Sequence, residues 1–514
     1  MSEGPETGLP EDEPTQQVAR SAAPDAGQPD KAEPDTDAHI TAAVSAKRRS
    51  RQSDPWGFLI RAMAYETLVV LVTAASVGAL LFLASLILFR GQLQDVYLRL
   101  RGPAPISAEV SLVTVGPEAL YLFNPADPHP DETPRELLAE LVTFLDAAGA
   151  SVVVLDFLIA QPAPGDALLA AASVKHGSVI AAERFEITEP ASGRVFTPGI
   201  PPILESAMGS GFANFQEEPS SWLGSELLVR RLPLLRTTDR AHLSGPWPLN
   251  QVGAKQDIDE IVPALSLAAA WRHRALQSDP QAKQKSLTRL LQAQCTPTPL
   301  LCTATMADLG LPDIPLQLSE PHDINFRGPE GGDGLVTVDA ARILRILAGT
   351  ALLKQLGQTG PVEVPEDLRL QLEGRVVVVG RVDVHPDGTS DRFATPYSLP
   401  LQDHADMSGP RIHAHAIDTL LSGRHIRHSG GWVAWLLALG VCGGVWVSYN
   451  RLPDTLHGAV WLGITAGVLT VGFVTFRISD GFVIDLGPVV AACLIPTVIL
   501  HLRGWVRDQA GLPR

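Results

Sequence analysis

Apolar positions follow two rhythms along this chain. Four stretches are apolar almost without interruption, at residues 67–89, 432–449, 459–476 and 482–502. Between the first and the second, short apolar runs alternate with segments whose apolar positions recur at helical spacing. The first stretch holds no charge over 23 residues, enough helix at 1.5 Å per residue to cross a hydrocarbon core about 30 Å thick. More than sixty residues precede it and it exceeds the apolar run of a cleaved signal, so an uncleaved signal-anchor helix is expected. Lys47, Arg48, Arg49, Arg51 and Arg61 lie ahead of it, which puts the N-terminus in the cytoplasm. The three later runs are separated by short links at 450–458 and 477–481. Four spans return both termini to one side, and Arg451, Arg503 and Arg507 agree with that orientation. Trp432, Trp435, Trp446, Trp461 and Trp505 fall near segment ends or within the runs, as interfacial belts place several of them. Asp485 lies near the outer end of the last run, at a depth from which its carboxylate reaches the interface, so a functional role is the lesser reading.

The middle of the chain, residues 90–431, is therefore expected outside the cytoplasm. Strands are predicted at 110–115, 151–157 (SVVVLDF), 178–182, 227–235, 323–327 and 375–380 (RVVVVG). Helices are predicted at 133–148, 163–175, 262–274, 338–347 and 411–422. Continuous apolar runs are what central strands covered on both faces require. Alternation of this kind predicts an α/β domain of three layers with a mostly parallel sheet, with one transmembrane helix before it and three after.

Charge adds an exclusion and a tail. The net charge of −16 argues against nucleic acid as a partner, because phosphate binding needs a surplus of clustered Lys and Arg. Residues 1–46 hold ten Asp or Glu against Arg20 and Lys31, with six prolines, so a disordered cytoplasmic tail is expected over 1–60. A second short cytoplasmic tail follows at 503–514.

Candidate chemistry is sparse. Residues 276–321 read as a polar, Gln-rich, proline-punctuated insertion carrying Cys295 and Cys302. In an oxidising compartment these two can close a small disulfide ring worth about 2–3 kcal/mol, with two free thiols as the alternative. Cys442 and Cys493 lie in apolar runs and read as small hydrophobes. No metal set, no cofactor motif and no catalytic signature (HExxH, P-loop, GxSxG, GxGxxG) is found. His413 and His415 are two apart on a helix and point about 200° from each other, which predicts one packed and one solvated histidine. Polar residues at strand ends carry more weight, because ligands of α/β sheets bind beyond the carboxyl ends of strands. They are Asp156, Asn325, Arg327 and Asp391, with Arg135 opening a helix where it could fork onto Asp156 or Asp391. A structural ion-pair network that ties loops is the alternative to ligand binding at these five.

The segments TPR (133–135), AGASVVVLDFLIAQPAPGDALLAAA (147–171), GSGFANF (209–215) and LLVRRLPLL (227–235) come in a particular order. DINFRGP (323–329), VVVVG (376–380), DRFATP (391–396) and PRIHAHAIDTLLSGRHIR (410–427) continue it. In content and order the series resembles the type-2 CHASE domain, a sensory extracytoplasmic module named for its association with cyclases and histidine kinases. One helix before and three after is also that family's usual layout. Two local departures stand out: the first strand runs into Val115-Gly116-Pro117-Glu118 where the family has acidic residues, and Thr133-Pro134 replaces a Trp-Pro pair. Relatives generally continue into an output domain, whereas this chain stops twelve residues after Leu502. The resemblance implies a sensory receptor in the bacterial inner membrane that is not an enzyme. It implies an extracytoplasmic ligand, the lipid bilayer and a separate cytoplasmic output protein as partners, with a homodimer as one assembly. The alternatives from other classes are a non-signalling structural or assembly protein of the envelope, and an enzyme.

Overall fold

The computed structural model describes residues 92–484 apart from 128–129, 131, 184–185, 190–193, 199, 220–226, 242–258, 280–286, 297–300, 303–304, 313–320, 356–361, 383–390, 399–405 and 430. The chain divides into two compact units, 1–73 and 74–514, and all described residues belong to the second. The expectations for residues 1–60, 67–89 and 503–514, and for Asp485 and Cys493, lie outside the described residues.

Short valine-rich runs build a parallel sheet because β-branched side chains fit a pleated surface that is covered on both faces. Its strands are β1 (Val110–Val115), β2 (Val152–Leu158), β3 (Val179–Glu183), β4 (Gly209–Phe212), β5 (Val336–Asp339) and β6 (Val376–Arg381). They lie in the order β5-β1-β6-β2-β3-β4, and every neighbouring pair runs parallel. Successive side chains alternate between two cores. Val110, Leu112, Val152, Val154, Val376 and Val378 enter one. Val113, Val115, Val153, Leu155, Val377 and Val379 enter the other. Val376 through Val379 are all fully buried, each contributing about 1.5–3 kcal/mol relative to exposure.

Helices α1 (Gln92–Arg101), α2 (Pro117–Phe123), α3 (Arg135–Ala147), α4 (Asp166–His176), α5 (Leu265–Ser278), α6 (Ala340–Gln355), α7 (Glu366–Leu372) and α8 (Gly409–Ser422) complete the layers. Those numbered α2, α3, α4, α6 and α7 cover the second core, while α5 and α8 cover the first. The mostly parallel three-layer α/β body is thus present. Several elements differ from expectation. Segment 227–235 divides into strands Leu227–Pro233 and Leu235–Ala241, which join small sheets of their own rather than the main one. Of 323–327 only Asp323 is strand, at the end of Pro321–Asp323, and the rest is irregular and buried. Edge strands β4 and β5 were not expected, nor was α2.

A helical hairpin follows the body: α9 (Gly431–Arg451) and α10 (Asp454–Ser479), joined through Leu452 and Pro453. These replace the expected runs 432–449 and 459–476 with longer helices, roughly 30 and 40 Å at 1.5 Å per residue. Within α10, Leu462–Ser479 has a mean hydropathy of 1.6 and is the one stretch among the described residues long and apolar enough to cross a membrane. A shorter apolar stretch, Leu436–Tyr449, lies in α9. Trp432, Leu439, Leu462 and Ile478 are among the large side chains that the hairpin leaves exposed. Phe482–Val483, which open the fourth apolar run, are a strand that pairs in parallel with Arg427–His428.

Candidate functional site

The polypeptide leaves β2 toward α4 on one face of the sheet and leaves the adjacent strand β6 toward α8 on the other. Divergence of this kind opens a crevice beyond the carboxyl ends of the two strands. A cavity of about 650 Å³ lies there, within the usual range for small-ligand pockets. Its lining includes Asp156, Phe157 and Leu158 from the end of β2 and Arg381 from the end of β6. Arg135 of α3 and His413 of α8 also reach it, with Phe215, Asp391 and Phe393 from the connecting segments.

The end of β2 is bulged against β3. Leu155 faces Ala181 and Leu158 faces Ala182, so Asp156 and Phe157 are extra on that side, while Asp156 keeps its register with Gly380 of β6. Bulges re-aim side chains. Asp156 continues the parity of Val152 and Val154 and so faces α8. Two glycines let α8 come close: a Cβ on Gly380 would lie 2.1 Å from Pro410 Cγ, and one on Gly409 would lie 2.3 Å from Asp391 Oδ2. Asp391 is exposed beside the first turn of α8, and its carbonyl accepts the Gly409 N–H at 2.9 Å.

Electrostatics follow from burial. Desolvation pushes the Asp156 carboxyl well above its ordinary range, and the neighbouring Asp391 adds to that. Asp156 Oδ2 is buried without a hydrogen-bond partner. His413 Nε2 is 3.9 Å from Asp156 Oδ1, and His413 Nδ1 is 3.0 Å from Ser266 Oγ. Burial holds His413 down at about 3, hence neutral. The Phe215 ring lies 4.5 Å from the His413 ring and 5.3 Å from Phe393, edge-on to the latter. Arg135 does not fork onto Asp156 or Asp391: its guanidinium is engaged by Asp166 at 3.4 Å and by Glu132 at 3.4 Å.

The structure therefore divides the five strand-end residues. Arg135, Asp156 and Asp391 line the cavity. Asn325 and Arg327 sit elsewhere, in a buried ionic junction below the carboxyl half of α8. Arg327 Nε reaches Asp418 at 3.3 Å, and its Nη1 donates to both oxygens of Asp480 at 2.9 and 3.0 Å. Arg101 of α1 donates to Asn325 Oδ1 at 2.7 Å and lies 3.4 Å from Asp480 Oδ1. Asn325 Nδ2 donates to the carbonyls of Arg424 at 2.7 Å and Asp480 at 3.1 Å. Asp480 caps α10 in the left-handed conformation, with φ of 52°, which costs a non-glycine residue about 1–2 kcal/mol and is held here by these contacts.

Sequence reasoning missed His413 and Asp480. The pair 413/415 is not one packed and one solvated histidine: α8 is buried from Gly409 through Leu421, so both are enclosed. His415 Nε2 lies 2.9 Å from Asp333 Oδ2, which Arg411 also grips. The signal was present in the small and apolar residues around the whole helix, Ala414, Ala416 and Leu420 among them. Elsewhere, Cys295 is disulfide-bonded, and strands Cys295–Thr296 and Leu301–Cys302 pair with Cys295 opposite Cys302.

A family model described as "CHASE2 domain" matches residues 67–447, well over half of the chain. The chain belongs to the CHASE2 family. CHASE2 domains are sensory extracellular domains, which makes the α/β body a sensory module. No curated protein and no solved structure matches the chain.

Proposed function

We propose that the chain is a membrane-bound receptor whose extracytoplasmic α/β body detects a signal and relays it through the membrane helices to a separate cytoplasmic protein. The spans would be 67–89, 432–449, 459–476 and 482–502, with both termini in the cytoplasm. The observation that carries this reading is the ionic junction. α8 presents His413 to the cavity and about one and a half turns later holds Arg327 through Asp418. Arg327 in turn holds Asp480, the cap of the hairpin's second helix. Tyr97 of α1 packs its ring 5.4 Å from Phe476 of α10, so the segment that follows span 67–89 meets the hairpin at the same place. A signal shifts an equilibrium only by its difference in affinity for two states, and α8 is the element positioned to differ at both ends.

The hairpin geometry supports the orientation. Both the start of α9 and the end of α10 adjoin the body, which leaves the Leu452-Pro453 turn at the far end. A Cys295–Cys302 bridge, which we also propose, suits an oxidising compartment. The test is side-specific labelling of full-length chains in which Cys442 and Cys493 are replaced by serine. A membrane-impermeant maleimide should label Ser278→Cys in intact cells, and Leu452→Cys only after permeabilisation. The reverse pattern, or labelling of both from outside, overturns the reading.

A further inference from the structure

The body and the hairpin meet at a short strand pair beside two buried histidines. Arg427 N donates to the Gly481 carbonyl and Ser429 N to the Val483 carbonyl, both at 2.8 Å. These bonds hold Arg427–His428 parallel to Phe482–Val483. Just ahead of them the backbone of His425 is pressed on the end of the hairpin: a Cβ on Gly481 would lie 2.6 Å from the His425 carbonyl oxygen. The His425 ring meets His322, which sits opposite Leu232 where strand Pro321–Asp323 pairs with Leu227–Pro233 of the body. Both imidazoles are buried, and His322 Nε2 lies 2.8 Å from His425 Nδ1. A contact this short needs one N–H and one lone pair, so the two rings cannot both be protonated while it holds. A proton added to His425 is poorly housed in any case. Its Nε2 is buried without a partner and would become an N–H with no acceptor.

The charged neighbours of the pair oppose each other. Asp323, beside His322, favours a proton there, but its carboxylate is already bonded to Arg231 at 2.9 Å and to His428 at 3.0 Å. Arg427, on the segment of His425, disfavours one. Farther out, Asp480 of the hairpin, Asp418 of α8 and Arg101 of α1 are tied together around Arg327, with the exposed Arg424 at 3.6 Å from Asp480. Desolvation outweighs these charges and keeps both rings neutral, down at about 4 for His322 and about 3 for His425.

We propose that the His322–His425 pair is an acid-sensitive latch between the body and the membrane hairpin: on acidification both imidazoles take up protons, the rings part, and the strand pair Arg427–His428 with Phe482–Val483 opens. The proton is the ligand. It binds the open junction and is refused by the closed one, and that difference shifts the equilibrium. Two imidazoles that titrate at the ordinary 6.5 once apart raise the opening constant about hundredfold from about pH 7.5 to about pH 5.5. One of them alone contributes about tenfold. The inference rests on the receptor reading for its consequence: it gives the relay a second input, acidity outside the cytoplasm, which enters at the junction and bypasses the cavity.

The experiment is hydrogen exchange on the full-length chain in lipid nanodiscs from about pH 7.5 to about pH 5.5, each rate divided by that of an unprotected peptide at the same pH. Amides at 424–429 and 480–484 report the latch, and those of Val376–Val379 in β6 report global unfolding. Protection at the junction is expected to lie below that of β6 throughout and to fall about hundredfold over the range. His322→Gln and His425→Asn each put an amide near the bonding nitrogen without its titration. Each should leave a fall of about tenfold, and the two together should abolish it. Thermal unfolding checks that the variants fold, and either single variant suffices to decide. Three outcomes overturn the proposal: junction protection that does not change with pH, junction protection equal to that of β6 at every pH, or the full wild-type fall retained in the single variants. The maleimide labelling pattern is independent of all three, so failure here leaves the receptor reading standing, and reversed labelling removes that reading whatever the latch does.

Discussion

Asp156 is the residue at which structure and cost diverge most. In the unfolded chain its carboxyl ionises near 3.8, but burial beside Asp391 raises it, so above that pH folding forces proton uptake and costs free energy. Replacing Asp156 by Asn keeps the shape and removes the titration. Thermal unfolding of the full-length chain in detergent at pH 7 should show the Asn variant more stable by on the order of 1 kcal/mol, a few degrees in Tm, and the gain should shrink toward pH 4. A lower Tm at pH 7 would contradict the upward shift of Asp156. The buried histidines act in the opposite sense. His322 Nε2 and His425 Nδ1 lie 2.8 Å apart, and burial holds them down at about 4 and about 3, from 6.5. As pH falls below 6.5 the unfolded chain binds protons that these imidazoles refuse, so this part of the stability is lost progressively toward pH 3. Asp323, pressed up by burial but held down overall to about 2 by His428 and Arg231, extends the loss from 3.8 toward 2. Unfolding midpoints measured from pH 7 to pH 4 should fall, and His322→Phe should flatten the slope. At the junction, Arg327→Met strands the buried Asp418 carboxylate and should cost about 3–5 kcal/mol, read from urea unfolding.

At the scale of elements, glycine placement decides how closely α8 can sit. Gly380→Ala places a methyl group where Pro410 already is, and overpacking of this kind costs about 1–3 kcal/mol. Reducing the disulfide of Cys295, or Cys295→Ser, should cost about 2–3 kcal/mol if the ring is small, measured as a fall in Tm with reductant. The central strands could be seen in the sequence because runs such as Val376–Val379 are continuous, apolar and β-branched. The edges could not. β4 is Gly-Ser-Gly-Phe, short and weak in strand preference, and β5 runs directly into α6 with no turn residue between them. The rule that ligands gather at strand ends singled out Asp156, through the apolar run that ends there, and Asp156, Asp391 and Arg135 line the cavity. It failed to separate Asn325 and Arg327 from them, because a run of alternating residues does not reveal which sheet it joins. Their segment is irregular and passes beneath α8 instead of ending a strand of the main sheet.

For the molecule as a whole, one helix joins the two polar centres. α8 is enclosed along its length, anchored to Asp333 through Arg411 and His415 midway, and bonded to Ser107 and Arg327 through Asp418 near its end. In the proposed relay, a rod held this way transmits a displacement because packed interiors deform little. The contacts through which the hairpin would receive it are Asp480 and the strand pair Arg427–His428 with Phe482–Val483. Hydrogen exchange on the full-length chain in nanodiscs, comparing wild type with Gly380→Ala, tests this coupling without needing the ligand. The alanine displaces Pro410 at the cavity end of α8. Faster exchange is expected there and also at 424–428 and 480–484, with α3 and α4 on the opposite face unchanged. Changes confined to the immediate surroundings of Gly380 and Pro410, with the hairpin junction exchanging as in wild type, would contradict a relay through α8.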